Sequence, residues 1–169
     1  MIGKDGGELR CRATGVDVSG LSKAGDRLQA LVGERRGPGD WLLVDQARVD
    51  AFADATEDHQ WIHVDEERAR TGPFGQTIAH GYLSVSLLPH LAGALMPPLE
   101  GFQGGINYGS NKVRFPTPLP VATRVRAFST LTDVAEHPLG VMITQKVEVE
   151  GEGLAKPVCV AETLSLLFV

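Results

Sequence analysis

Asp58 and His63, an acid and a histidine five residues apart, are the residues in this sequence best suited to proton transfer. A His80-Gly81 pair follows them, directly before an almost wholly apolar segment, residues 82–96. A carboxylate and an imidazole can together move a proton, and backbone N–H groups at the start of a helix can hold a carbonyl oxygen. The stretch therefore contains the parts that acyl-group chemistry needs.

The composition is that of a globular domain and argues against nucleic acid as a partner. The chain has 169 residues, of which 43% are hydrophobic and 22% charged, enough for one domain with a substantial core. Its net charge is −5, and its longest basic run is Arg35-Arg36, which we expect to be a solvated helix end. Nothing in this charge balance favours a polyanionic partner.

Residues 1–19 are rich in glycine and polar side chains, so we expect a poorly ordered extension there, ahead of a single domain over residues 20–169. The N-terminus lacks the apolar core of a signal peptide, and no segment is long and apolar enough to predict a membrane span. Cys11 and Cys159 lie in unlike contexts, so neither a disulfide framework nor a cysteine metal site is expected. These features favour a cytoplasmic protein with no membrane partner.

Helical periodicity dominates the first half of the chain. A first helix is predicted to end at the breaker 37–39, with Leu21, Ala24, Leu28, Leu31 and Val32 on one face. The apolar run 41–44 is either a strand or a packing anchor. Asp45 is expected to cap a helix over residues 46–56, whose inner stripe consists of Val49, Phe52, Ala53 and Thr56.

Asp58 follows that helix directly, and Asp65 is expected to cap a second short helix over residues 66–71, which Gly72-Pro73 ends. Asp58 and His63 are therefore predicted to lie in a loop between two helices. The apolar segment from Gly81 to about residue 96 predicts a helix buried on every side. Because Pro89 removes a hydrogen bond from its interior, we expect a kink there or two shorter helices.

Beyond residue 98 the periodicity changes from helical to alternating, which predicts strands. The positions expected to share one side are Val125, Ala127, Ser129 and Leu131, then Val141, Ile143, Val147 and Val149, and finally Val158, Val160, Leu164, Leu166 and Phe168. Turn signals at 137–140 and 151–153 make consecutive strands antiparallel, and runs at 105–108 and 111–115 add one or two more. The order predicts an α+β fold, an antiparallel sheet curled around one buried helix.

Two motifs carry a family resemblance. The first is Phe52-(x)3-Thr56-Glu57-Asp58-His59-Gln60-Trp61-Ile62-His63, and the second, 17 residues after His63, is Ile78-Ala79-His80-Gly81. They resemble the pattern F-(x)3-[ST]-G-D-x-N-P-[LIV]-H, then aliphatic-H-G, of the MaoC-like dehydratases, which are (R)-specific enoyl-CoA hydratases with a hot-dog fold. Residues 107–109 and 112–116 also resemble the NodN-like branch, and the likeness covers about residues 40–169.

The resemblance implies hydration of a trans-2-enoyl-CoA to the (R)-3-hydroxyacyl-CoA. Asp58 and His63 would hold a water, one accepting its proton while the other supplies a proton to Cα; which does which stays open. The Gly81 N–H would hold the thioester oxygen, and glycine suits this position because no Cβ blocks the ligand. No metal or organic cofactor is implied beyond the coenzyme A of the substrate, and a homodimer is expected.

Three residues depart from the family motif: Glu57 replaces the usual Gly, Gln60 replaces Asn and Trp61 replaces Pro. The changes keep the acid and the histidine but alter the turn between them. Gln60 retains an amide that can bind substrate or water. The departures therefore bear on substrate range more than on reaction type.

Other residues have both a structural and a functional interpretation. His80 is expected to anchor a loop beside the substrate, and Asn107 and Tyr108 are expected either to line the acyl pocket or, for the tyrosine, to be buried with a satisfied hydroxyl. Lys112 and Arg114 alternate like an exposed strand face, although phosphates of coenzyme A are a possible partner. His59 and Asp65 join Asp58 and His63 in a set that matches no helical zinc motif, so no metal is expected.

Two alternative functions fit the same residues. A hot-dog thioesterase also uses a carboxylate to activate water, against the thioester carbonyl. A non-catalytic acyl-CoA-binding module would keep the pocket while the altered motif no longer turns over. Thiol release and enoyl loss distinguish the three functions.

Overall fold

The N-terminal part of the domain is less helical than its periodicity predicted. The computed structural model describes residues 25–98 and 100–168, so the expected extension 1–19, together with Leu21 and Ala24, lies outside the described residues. Residues 25–29 are helical, but Gly33 has φ +88° and donates its N–H to Leu131 O at 2.8 Å. The chain therefore leaves helical geometry before residue 37, and Arg35–Arg36 is strand β1 rather than a helix end.

The described residues form one antiparallel sheet of six strands. The strands are β1 (Arg35–Arg36), β2 (Leu42–Val44), β3 (Gly104–Arg114), β4 (Thr123–His137), β5 (Gly140–Gly151) and β6 (Cys159–Phe168). Their order is β1-β4-β5-β6-β3, and β2 also pairs with β4. The two predicted runs at 105–115 are one strand, β3, whose pairing with β6 is interrupted by two irregularities.

The predicted alternation of β4 and β5 is confirmed. Val125, Ala127, Ser129 and Leu131 are buried in β4, and Val141, Ile143, Val147 and Val149 are buried in β5. The hairpin between these strands closes at Gly140, where φ is +152° and an added Cβ would lie 1.9 Å from Leu167 O. Only glycine fits this position.

The predicted inner face is wrong within β6, although Val158, which directly precedes the strand, is buried in the core as expected. Ala161 pairs with Val147 and Leu167 pairs with Val141, so the odd-numbered residues face inward and Val160, Leu164, Leu166 and Phe168 face the other side. Two inward positions, Thr163 and Ser165, are hydroxyl residues that line a cavity. Hydrophobic alternation marked the wrong side because this part of the inner face borders a cavity instead of packed core.

Besides the helical residues 25–29, the described residues form five helices: α1 (Gln46–Thr56), α2 (Trp61–Val64), α3 (Glu66–Arg70), α4 (Gly81–Ser86) and α5 (Leu88–Gly93). Asp45 caps α1 as predicted, since its side chain accepts from Arg48 N at 2.9 Å. Asp65 likewise caps α3 through Arg68 N at 2.9 Å. Val49 and Ala53 form the buried stripe of α1, whereas Thr56 is exposed, contrary to expectation. None of the helices within 25–98 and 100–168 is long and apolar enough to cross a membrane.

The central helix is divided in two, which was one of the two predicted outcomes. Pro89 lies in the first turn of α5, where a backbone N–H would have no acceptor within the helix, so the N–H that proline lacks is not missed. Leu83, Leu88, Leu91 and Ala92 pack against the inner face of the sheet. The prediction of burial on every side is wrong, because Tyr82 is 73% exposed and Ser86 is also exposed. One face of the helix pair stays open in the single chain.

Candidate active site

Asp58 owes its position to the end of α1. The helix stops at Glu57, which adopts the left-handed conformation with φ +59° and turns the chain outward. Asp58 follows, and its side chain is 54% exposed. The family's glycine at this position is explained by the same geometry, since a left-handed residue is least costly as glycine.

His63 lies within α2 and not in a loop, which corrects the prediction. Its side chain is only 6% exposed, and its Nδ1–H donates to Ile78 O at 2.6 Å. A carbonyl can only accept, so the hydrogen bond assigns the proton to Nδ1 and leaves Nε2 with a free lone pair. Burial lowers the pKa of His63 from its ordinary 6.5, partly offset by the Ile78 carbonyl, and the neighbouring His80 lowers it further. The neutral imidazole can therefore accept a proton.

Gln46 and Thr77 hold the segments on both sides of this imidazole. Gln46 Nε2 donates to His63 O at 2.8 Å, and Gln46 Oε1 accepts from Thr77 Oγ1 at 2.7 Å. Thr77 is 5% exposed and directly precedes Ile78, whose carbonyl orients the His63 ring. One glutamine thus links α1 to the backbone of His63 and to the residue beside its hydrogen-bond partner.

His80 connects the two halves of the site. Its Nε2–H donates to Asp58 O at 2.8 Å, the contact expected of a loop anchor. Its ring is 3% exposed and stacks on His63, with centroids 3.7 Å apart and an interplanar angle of 26°. The ring of Phe52 also packs against His80, with the two ring centroids 5.1 Å apart. The stacking holds the acid and the imidazole in one cluster.

Asp58, His63 and His80 each have one potential ligand atom, and these three atoms lie within 4.8 Å of one another, close enough to bind one metal ion. The set considered from the sequence, which adds His59 and Asp65 to Asp58 and His63, is not assembled. His59 Nε2–H instead donates to Asp54 Oδ1 at 2.9 Å, and Asp65 caps α3.

Gly81 is the first residue of α4, and its N–H has no acceptor within the helix. An added Cβ at this position would lie 2.9 Å from the ring of Phe115. The glycine therefore makes room for an aromatic side chain, where the sequence suggested room for the ligand. Phe115 is 42% exposed and covers the start of the helix next to the dyad.

A cavity of about 480 Å³ lies between the central helices and the inner face of the sheet. It is not lined by Asp58, His63 or Gly81, but it begins at Val85, four residues along the helix from Gly81. Residues four apart share a helix face, so the cavity continues the face that Gly81 starts. An acyl chain extending from the dyad would enter it.

The predicted binding residues are distributed over this region. Gln60 is exposed at the start of α2 and makes no capping hydrogen bond with its side chain. Asn107 and Tyr108 line the cavity from β3. Tyr108 is 61% exposed, so the alternative of a buried tyrosine is wrong. Lys112 and Arg114 lie exposed on the same strand.

Trp61, which replaces the proline of the family motif, is the first residue of α2 and packs against α3. The Arg68 guanidinium lies 4.4 Å from the centre of its ring, and an added Cβ at Gly72 would lie 3.0 Å from the same ring. Trp61 therefore fixes α3 against α2 at the back of His63. Gln46, Thr77, Phe115 and Trp61 were not predicted as site residues. Trp61 and Phe115 lie within the quoted motifs and Thr77 directly precedes the second one, whereas nothing in the sequence pointed to Gln46.

Comparison with known proteins agrees with this geometry. A family model for the MaoC-like domain matches residues 27–152. The chain belongs to the MaoC-like dehydratase family. It is 54% identical over 138 residues to the 3-hydroxyacyl-thioester dehydratase Z of Mycobacterium tuberculosis, covering 81% of this chain and 91% of that protein. It is 39% identical over 138 residues to nodulation protein N of Rhizobium leguminosarum bv. viciae, covering 80% and 86%.

Solved structures of MaoC-like dehydratases share the architecture. The (R)-hydratase from A. caviae superposes with a TM-score of 0.62 at 27% identity, covering 78% of this chain and 96% of the other. The hot-dog fold predicted from the motifs is thus confirmed, and hydro-lyase chemistry in general follows from the family. The particular substrate does not follow from these matches.

Proposed function

We propose that this MaoC-like dehydratase reversibly hydrates trans-2-enoyl-CoA to (R)-3-hydroxyacyl-CoA. The observation that carries the proposal is the His63 Nδ1–H bond to Ile78 O, which leaves Nε2 unprotonated in a cluster with Asp58. A hydratase needs such a base beside a carboxylate that can hold the water. The (R) configuration is carried over from the name of the related A. caviae enzyme.

In the proposed hydration, His63 Nε2 accepts a proton from a water as the water oxygen bonds to Cβ. The electron pair of the carbon–carbon double bond moves to Cα and the thioester, giving an enolate. The imidazolium then returns the proton to Cα, so one water is added and His63 ends neutral. Asp58 accepts a hydrogen bond from the other O–H of the water, which stays on the oxygen as the 3-hydroxyl, and the carboxylate stabilises the transient imidazolium. In this proposal His63 acts first as the base and then as the acid, the order that the sequence left open.

The enolate oxygen would lie at the Gly81 N–H, which has no acceptor within α4. Such a donor can be worth about 3–4 kcal/mol in the transition state. Gln60, His80, Asn107 and Tyr108 are proposed to contact the substrate around the dyad and along the cavity. Coenzyme A enters as part of the substrate, and no metal or other cofactor takes part.

A homodimer is proposed for the active form. Among the described residues, strand β3 pairs only with β6 and forms an edge of the sheet, and its Ile106 and Tyr108 are 51% and 61% exposed. Pairing two β3 strands would cover this edge and the wall of the cavity that β3 forms.

The test of the reaction is purified protein with crotonyl-CoA, following enoyl absorbance and free thiol together. Loss of enoyl absorbance without thiol is the expected result. Thiol appearing at the rate of enoyl loss would instead identify a thioesterase. Saturable acyl-CoA binding with neither signal would identify a binding module.

A further inference from the structure

The wall that the sheet presents to the cavity is polar. Register pairs Gln145 with Thr163, and Thr163 with Ser110, so the three side chains form one row across β5, β6 and β3. All three line the cavity. The facing helix wall is apolar and is formed by Val85, Leu88, Ala92 and Met96. A pocket built for a plain alkyl chain would have no reason to set an amide and two hydroxyls against it.

Gln145 is the member of this row whose hydrogen bonding is defined. It is 8% exposed, and its Nε2 donates to Ser129 Oγ at 3.1 Å and to Met96 Sδ at 3.2 Å. A thioether sulfur can only accept, so the nitrogen end of the amide is fixed there and both of its hydrogens are used. Oε1 makes no hydrogen bond with other residues in the described ranges, and because Gln145 lines the cavity this oxygen is available to a ligand there.

The row lies along the path that the acyl chain would take. Gly81, Val85, Leu88, Ala92 and Met96 recur at helical spacing, and Leu87 N to Leu83 O and Leu91 N to Leu87 O keep that spacing through the break at Pro89. Gln145 contacts Met96, which lies about 22 Å along the helix from Gly81. A thioester held at Gly81 would therefore bring only the far end of a long chain against the polar row.

We propose that this cavity selects acyl chains that carry a hydroxyl group on the part remote from the thioester, with Gln145 Oε1 accepting from it and Thr163 completing the contact. The proposal rests on the proposed hydratase function and deepens it. A chain without the hydroxyl leaves Oε1 desolvated and unpaired, whereas a hydroxylated chain satisfies it.

The experiment compares trans-2-hexadecenoyl-CoA with its 16-hydroxy derivative as substrates of the purified protein. We expect kcat/KM to favour the hydroxylated probe by about tenfold, the worth of one buried hydrogen bond. Gln145→Met and the isosteric Thr163→Val should each reduce this ratio towards one. Thr144→Val, on the same strand but facing away from the cavity, is the matched control and should leave the ratio unchanged.

The outcomes separate this proposal from the reaction itself. If crotonyl-CoA is hydrated and the two hexadecenoyl probes react equally in the wild type, the polar subsite is wrong and the hydratase stands. A preference that survives both variants also contradicts the subsite. If no enoyl-CoA reacts, the hydratase fails, and the subsite is then decided by calorimetry: the ratio of the Kd values of hexadecanoyl-CoA and 16-hydroxyhexadecanoyl-CoA, measured in the wild type and in the same variants. Thr163→Val keeps the test valid should the Gln145 variant not fold.

Discussion

At the scale of single residues, Asp58 is the member of the dyad that can be changed with least effect on folding. Its side chain is 54% exposed, so Asp58→Asn removes the carboxylate and keeps the shape. We expect kcat on crotonyl-CoA to fall about 10²-fold or more, because the carboxylate holds the water and stabilises the imidazolium, and loss of one such electrostatic contact typically costs about 10²–10³-fold. Asp54→Asn, an exposed acid bound to His59, is the control and should keep full activity.

His63 needs a more careful variant, because it is buried and its backbone belongs to α2. His63→Gln keeps a hydrogen-bonding side chain where His63→Ala would leave a hole. The double variant with Asp58→Asn should have a kcat little lower than that of the less active single variant, since the effects of groups that act as one unit are not additive. A folded Asp58→Asn protein with a near-normal rate would contradict the dyad.

The tautomer of His63 makes a prediction about pH. The reaction needs the neutral imidazole, and burial lowers its pKa below the ordinary 6.5. Hydratase kcat/KM should therefore be constant above about pH 6.5 and fall as the pH drops through the lowered pKa. The folded chain takes up this proton at lower pH than the unfolded chain, so stability should also fall below 6.5. A pH–rate profile whose acid limb lies above 6.5 would show that a different group is the base.

At the scale of elements, the end of α1 stores strain that glycine would relieve. Glu57 has φ +59°, a conformation that costs an L-residue about 1–2 kcal/mol, and its negative charge also opposes the helix dipole. We expect Glu57→Gly to raise the free energy of unfolding by about 1 kcal/mol in urea titration, after the entropy lost by glycine. Glu67→Gly, inside α3, should lower it by a similar amount. Equal destabilisation by both would contradict the strain.

The clamp between α1 and the second motif should act on catalysis through His63. Thr77→Val keeps the volume but leaves Gln46 Oε1 without its partner, which allows the His63 segment to shift. We expect kcat to fall about tenfold with little change in acyl-CoA binding, as in other losses of geometry. Thr77→Ser restores the hydroxyl and should restore kcat. If both variants lose stability equally and kcat follows stability alone, Thr77 is structural only.

Local elements could be predicted well where one interaction decides them. The Asp45 cap and the bounds 46–56 of α1 depend on neighbours in sequence, and both are confirmed. The inner face of β6 was wrong because it depends on which residues border a cavity. Arg35-Arg36 was wrong because its strand is set by pairing with Ser129 and Thr130, almost a hundred residues away.

The site itself could be predicted in part. Spacing within the two motifs brought Asp58, His63 and Gly81 to attention, because these residues lie close along the chain. The Gln46 clamp and the row of Gln145, Thr163 and Ser110 arise from tertiary packing and strand register, which no local pattern encodes. Motifs therefore identified the dyad, while its support and the selectivity of the pocket required the structure.

At the scale of the whole molecule, the open edge of β3 predicts the assembly. Nine of its eleven residues are exposed, including Ile106 and Tyr108, and Tyr82 and Phe115 extend the apolar surface beside it. Light scattering should give twice the chain mass at micromolar concentration. Changing Ile106 and Tyr108 together to Lys should give monomers, since lysine on an edge strand opposes pairing. Leu43→Lys, an equally exposed apolar residue on β2, should leave the mass unchanged. A monomeric wild type, or a dimer indifferent to the lysines on β3, would rule out this edge as the interface.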